Sequence, residues 1–307
     1  MGVTLDAVID RLYRDHLYPP NQQPAQTTLN GALTNVATAV TLTDNVLTQA
    51  EEDAIGAGTL LEVDRELMRV TAVGTWPALT VTRGALGTTA AAHDTLKPVI
   101  VTPLYPRSSV FDAVCDSIEA LNDRDIFTIA TSDTFTATDS LTEVPATVIE
   151  VLSVHHRIYE ASTTTTGYRP GSFEFLKDQP TDVSSTTKAI QLYGIPVGHT
   201  TYYVYKTYFT RPTDETYDLT DDAPNMPERF IKLITLGALI DLLAGADLDA
   251  RSVEYITEAL NAQGFPVGSG RDLVRSMVTV YEYRLEQAAR RLNRDYPMTV
   301  EQMDAIL

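Results

Sequence analysis

Apolar positions recur at helical spacing at the start of the chain and through its last third, and they mostly alternate with polar ones in between. Leu5, Val8, Ile9, Leu12 and His16 share one face, which predicts a helix that Thr4 can cap and that YPPNQQP ends. Short alternating runs follow: AVTLTD, TLLEVD, ELMRVTAV, ALTVTRG and KPVIVTP. They predict strands with turns between them, and EEDAIGAG is either a helical turn or a loop. A second helix is expected over about 109–122, with Ser109 and Asp112 at capping-box spacing and a stripe of Val110, Val114, Ile118 and Leu121. Further strands are expected in ATVIEVLSVHHRIYE, GSFEFLKD, KAIQLYG and TTYYVYKTYFTRP. Three helices close the chain. Their markers are Phe230, Leu233, Ile234, Ile240 and Leu243; then Val253, Ile256 and Leu260, ended at Gly264 and Pro266; then Leu273, Met277, Val280, Leu285, Ala288 and Leu292, started by Ser269 and Asp272.

The order helix, β region, helix, β region, three helices predicts an α+β fold, in which a helical bundle module carries two β-rich insertions. The expected boundaries are 1–20 for the N-terminal helix, 25–106 for the first insertion and 107–123 for the middle helix. The second insertion spans 126–213, the C-terminal helices 226–296 and a C-terminal arm 297–307. The first helix cannot bury its stripe alone, so it should dock on the others.

Composition narrows the function. The 307 residues carry a formal net charge of −18, which opposes a general grip on nucleic acid without excluding a channel through which DNA passes, since a negative wall keeps the duplex from sticking. No apolar run reaches the ~18 residues of a membrane span. The opening MGVTLDAVIDRLYRD lacks a basic-then-apolar signal pattern, so the chain is expected to stay in the cytoplasm where it is made. Cys115 is the one cysteine, which excludes an internal disulfide framework, and its neighbours predict a buried, inert thiol.

Candidate chemistry is sparse. In RGALGTT, Gly84 and Gly87 stand too close for a phosphate loop and no lysine follows. Met68 and Val70 alternate with Arg69 and Thr71, and Leu79 and Val81 with Thr80 and Thr82. GTWP lies between them, so the stretch predicts a hairpin followed by a glycine-containing connection. His93 is expected on a loop or at the surface, and His155 and His156 point to opposite faces of a strand. No catalytic, cofactor or metal residues are therefore expected. Tyr203 and Tyr205 on the aromatic strand keep a carbohydrate-binding protein or hydrolase open as a different class.

The last helix is basic: from Arg271 to Arg294 six arginines stand against three acids. Two readings stand. Arg275, Arg284, Arg290, Arg291 and Arg294 meet an acidic partner, or the helix is solvated and pairs internally, as Glu282 with Arg290. Beyond Pro297, Met298, Val300, Met303, Ile306 and Leu307 make MTVEQMDAIL either a docking arm or a frayed end.

ELMRVTAVGTWPALTVTRGALGTTAAAH resembles a hairpin signature of tailed-bacteriophage virion proteins. Together with the N-terminal helix, β insertions, C-terminal helices and tail, the chain resembles head-to-tail adaptors of the neck. That resemblance implies a ring of copies, usually twelve, beneath the portal protein. The ring would join it to head-closure or tail proteins and continue the DNA channel without sequence-specific binding. It also implies a virion location, after assembly in the host cytoplasm, and partner binding through the basic helix and the arm. A tail-tip, baseplate or fibre-attachment protein is the alternative within the same class.

Overall fold

A computed structural model describes residues 3–18, 23–44, 46–138, 141–157, 167–180, 184–220, 226–244, 250–262 and 273–296. Helices and two curled antiparallel sheets make the chain α+β. Contacts among the described residues divide it into two compact units: Asp6–Asp116 with Thr235–Val280, and Met1–Leu5 with Ser117–Ile234 and Tyr281–Leu307.

The first unit holds most of α1 (Leu5–Leu12), whose stripe Val8, Ile9 and Leu12 is buried as its spacing predicts. A π-helical turn, Tyr13–Leu17, prolongs it and buries His16. The helix docks on other helices as expected. Arg107 pairs with both Asp6 and Asp10, and the Tyr255 hydroxyl donates to the Arg14 carbonyl at 2.8 Å.

Six strands of this unit run β1 (Gln26–Thr28), β2 (Ala39–Thr41), β3 (Leu60–Val63), β4 (Glu66–Val73), β5 (Ala78–Thr82) and β6 (Pro98–Val101). They pair in the order β1-β6-β3-β4-β5-β2. The sheet curls until its edges meet. Leu29 bridges Leu42, the Asn30 amide donates to the Thr41 carbonyl at 2.9 Å, and the Thr43 amide to the Thr28 carbonyl at 2.8 Å. Closing the sheet into a barrel leaves no long unpaired edge. Alternation sends Leu61, Val63, Met68, Val70, Leu79, Val81 and Val99 into one apolar core with Leu29 and Leu42. EEDAIGAG begins as a short helix, α2 (Gln49–Ala54), closed at its start by a Thr48–Glu51 capping box.

Helix α3 (Arg107–Asn122) passes from this unit into the other. It begins two residues before Ser109, directly after Pro106, whose carbonyl accepts from the Val110 amide. The capping-box spacing at Ser109 is thus a false start, since the helix is already under way at Arg107. Cys115 is fully buried with Val110, Val114, Ile118 and Leu121.

The second unit is built on β7 (Thr128–Thr131), β8 (Phe135–Thr136), β9 (Thr142–Glu143), β10 (Val148–Arg157), β11 (Tyr168–Leu176), β12 (Ala189–Tyr193) and β13 (Thr200–Thr207). Their order is β7-β13-β10-β11-β12-β9, with β8 also on β13. Val144, Val148, Val151, Val154, Ile190 and Tyr203 form its core. Helix α4 (Glu228–Leu243) is buried on nearly every side rather than along one stripe. It is followed by α5 (Ala250–Ala262) and α6 (Leu273–Asp295). The expected start of α6 at Ser269 and Asp272 lies outside the described residues.

Candidate functional site

The hairpin that β4 and β5 form carries a buried ionic brace at its open end. Glu66 opens β4 at an inward-facing position, and a carboxylate there needs partners. Arg83, one residue beyond β5, supplies two: Nε and Nη2 reach the Glu66 oxygens at 2.6 Å each, with side-chain exposures of 6 % and 1 %. The Gly84 amide at 3.1 Å and the Ala91 amide at 3.0 Å also donate to Glu66. Desolvation pushes the Glu66 carboxyl up, but Arg83, the two amides and His93 outweigh it and hold the group down at about 2. Arg83 further donates to the Thr34, Ala37 and Ala91 carbonyls.

His93 completes the brace. It lies on a connection outside the strands, as expected, but it is 4 % exposed, so a surface position is corrected to a buried one. Nε2 lies 2.9 Å from Glu66 and Nδ1 2.9 Å from Asp64. The His93 backbone also pairs in both directions with Leu33 at 2.8 Å. Gly84 makes the turn possible. It sits at φ 59°, and a Cβ there would lie 2.7 Å from the Thr88 carbonyl oxygen. A cleft of about 680 Å³ borders the brace, lined among others by Arg65, Leu86, Ser109 and Phe111. Both ring nitrogens of His93 face carboxylates, which leaves the ring no nitrogen with which to activate a nucleophile.

Helix α6 places the predicted arginines in water. Leu273, Met277, Leu285 and Leu292 are buried, and Arg275, Arg284, Arg290, Arg291 and Arg294 are all exposed. Arg290 pairs with Glu286 at 2.6 Å and Arg294 with Asp295 at 3.0 Å. The expected Glu282–Arg290 pair is not formed, because Glu282 pairs with Arg124 at 2.7 Å and the i,i+4 partner of Arg290 is Glu286. Met298, Val300, Met303, Ile306 and Leu307 lie outside the described residues, as does Arg271.

The aromatic strand turns opposite ways with alternate residues. Tyr203 is 5 % exposed in the core, Tyr205 packs partly buried beside it, and burial pushes the Tyr203 hydroxyl up to about 12. Tyr203 thus shows almost none of its ring to solvent and Tyr205 only part of it. Lys206 is fully buried, an arrangement the sequence did not signal. Its Nζ donates to Glu150 at 2.6 Å and to the Tyr296 carbonyl at 3.0 Å, just past the end of α6, and lies over the Phe127 ring. Among the described residues no group of three or more His, Cys, Asp or Glu could hold a metal ion, and no helix is long and apolar enough to cross a membrane. No family model matches the chain, and no curated protein sequence matches it.

Proposed function

We propose that the chain is a non-enzymatic virion component of a tailed bacteriophage: a head-to-tail adaptor whose copies form a ring below the portal. In this reading the helices act as one module, and the β barrel and second sheet are insertions into it. The ring meets the portal above and head-closure or tail proteins below, and DNA passes through without sequence-specific contact.

One observation carries the reading. The residues through which the sequence resembles virion hairpins, Glu66, Arg83, Gly84 and His93, meet in the buried brace. The residues that carry the resemblance are thus joined to one another in this chain, which supports reading them as one signature. The exposed arginines of α6 support it further, because a subunit of net charge −18 that joins copies of itself needs a cationic surface. Heterologous contacts of this kind close into rings.

Mass photometry of the purified chain with and without portal protein tests the proposal. A ring-sized species, formed alone or on portal, is the expected result. Assembly with threefold or sixfold symmetry transfers the chain to the tail tip. A lone monomer that ignores portal and turns over a substrate overturns the adaptor reading.

A further inference from the structure

The connection 194–199 between β12 and β13 folds back as a strap onto the core-facing side of the second sheet. Glycines stand near both its ends, Gly194 at φ 68° and Gly198 at φ 88°, a backbone conformation that side chains resist. Between them Ile195 is keyed into a notch on β11. A Cβ on Gly171 would lie 2.4 Å from Ile195 Cδ1, so only glycine leaves room for that methyl group. The last residue of the strap, His199, sets its ring 5.8 Å from that of His156 on β10. His156 shares the core-facing side with its register partners, Arg169 on β11 and Thr201 on β13, two positions on from Val154 in the core. Its Nδ1 is screened from solvent and has no hydrogen-bond partner among the described residues. That nitrogen lies 3.6 Å from where the Gly171 Cβ would stand, beside the notch that Ile195 fills.

We propose that the strap is a conformational switch that opens when His156 takes up a proton. The imidazolium then stands between Arg169 from β11 and His199 from the strap, with no counter-charge from the strands around it. Thr201 from β13 is uncharged, and Tyr203 stays neutral with its hydroxyl pushed up to about 12. β10 and β11 hold one carboxylate each, and β13 and the strap hold none. Glu150 is engaged by Lys206 and Glu174 by the Tyr193 hydroxyl. A charge screened from water without a partner is unfavourable, and lifting Ile195 out of the notch lets water reach Nδ1. The strap has one firm end: the Gly198 amide donates to the Ala137 carbonyl at 2.9 Å, and the Ala137 amide to the His199 carbonyl at 2.8 Å. Ile195 is thus the part free to swing, and its departure uncovers the apolar core at the notch, against which it packs. Burial first, and then His199 and Arg169, hold His156 below its ordinary value of 6.5. The closed strap therefore has its full stability above 6.5 and loses it as pH falls below that value. The switch does not depend on the adaptor reading.

Methyl NMR of the full chain, labelled at isoleucine and read with a soluble paramagnetic agent, tests the proposal by measuring how exposed Ile195 Cδ1 is. Between about pH 7.5 and about pH 5.5 the relaxation enhancement at Ile195 should rise by about twofold or more, while Ile190 in the same core stays protected. His156→Gln should abolish the rise, and His199→Gln should lessen it. Gly171→Ala, whose Cβ takes the place of the Ile195 methyl, should expose Ile195 at both pH values. Circular dichroism of the variants at the higher pH should match the parent, and His199→Gln decides the matter should His156→Gln fail to fold. An enhancement that does not rise in the parent overturns the proposal. A rise that persists in full in either histidine variant does the same, as does one shared by Ile190, which would mark a general loosening of the sheet.

Discussion

Glu66 and Arg83 stand at the two strand ends of one hairpin and join through two 2.6 Å contacts from which water is almost wholly excluded. A pair of this kind is costly to break singly, because the survivor is a buried charge with too few partners. Arg83→Met should therefore lower stability by about 3–5 kcal/mol. The double variant Glu66→Met/Arg83→Met should recover much of that loss. Urea unfolding of the three variants decides it. Additive losses would show that the two side chains act separately.

The brace should also set acid stability. Glu66 has an ordinary value of 4.5 and is held at about 2 in the fold. Its stabilisation is fully present above about 4.5 and is lost as pH falls from there through about 2, to a total on the order of 3 kcal/mol. Asp64 is also lowered: burial raises it, and the bonds from His93 and Lys97 outweigh that, so it adds to the loss at low pH. The urea midpoint of the parent should drop steeply across this window. Glu66→Gln should start lower and fall less. Parallel pH profiles for the two proteins would contradict the assignment.

Local alternation made the β4–β5 hairpin legible in the sequence, since each inward residue announces itself two positions on. The closure of the barrel was not legible, because Leu29 and Leu42 pair only after the whole sheet has curled. The burial of His93 was missed because AAAH resembles a solvated connection. The available signal was Glu66, a charge beside Leu67 and Met68 at the start of an inward-facing run, which required a cationic partner such as Arg83. The arginines of α6 were legible as exposed because the helical period sets them away from Met277 and Leu285. On β13 the two faces were legible but not their direction. Tyrosines occupy both, and only packing against Val154 and Ile190 turns Tyr203 inward and leaves Tyr202 outside.

Lys206 ties the end of α6 to the second sheet. Its ammonium is fully buried and reaches both Glu150 and the Tyr296 carbonyl. Lys206→Met leaves the Glu150 carboxylate without this cation and the carbonyl without this donor. A loss of about 3–5 kcal/mol is expected. Hydrogen exchange should quicken in the last turn of α6 more than in its middle, because the contact acts only at that end. Uniform exchange along α6 in the variant would remove the tether from the account.

The arginines on α6 should matter to assembly and not to folding. Arg290 and Arg294 are exposed, and their ion pairs with Glu286 and Asp295 are exposed too. Pairs of that kind contribute at most about 1 kcal/mol. Arg290→Glu/Arg294→Glu should thus leave the melting temperature nearly unchanged. If the helix meets an acidic partner, the same variant should weaken association at low salt, where screening is least. The parent's association should weaken as salt rises, while the variant's should change little or strengthen, because like charges now face each other. Sedimentation velocity across a salt series, with and without portal, separates these outcomes. Equal association by parent and variant at every salt concentration would return the helix to the solvated reading and leave ring formation to surfaces of a different character.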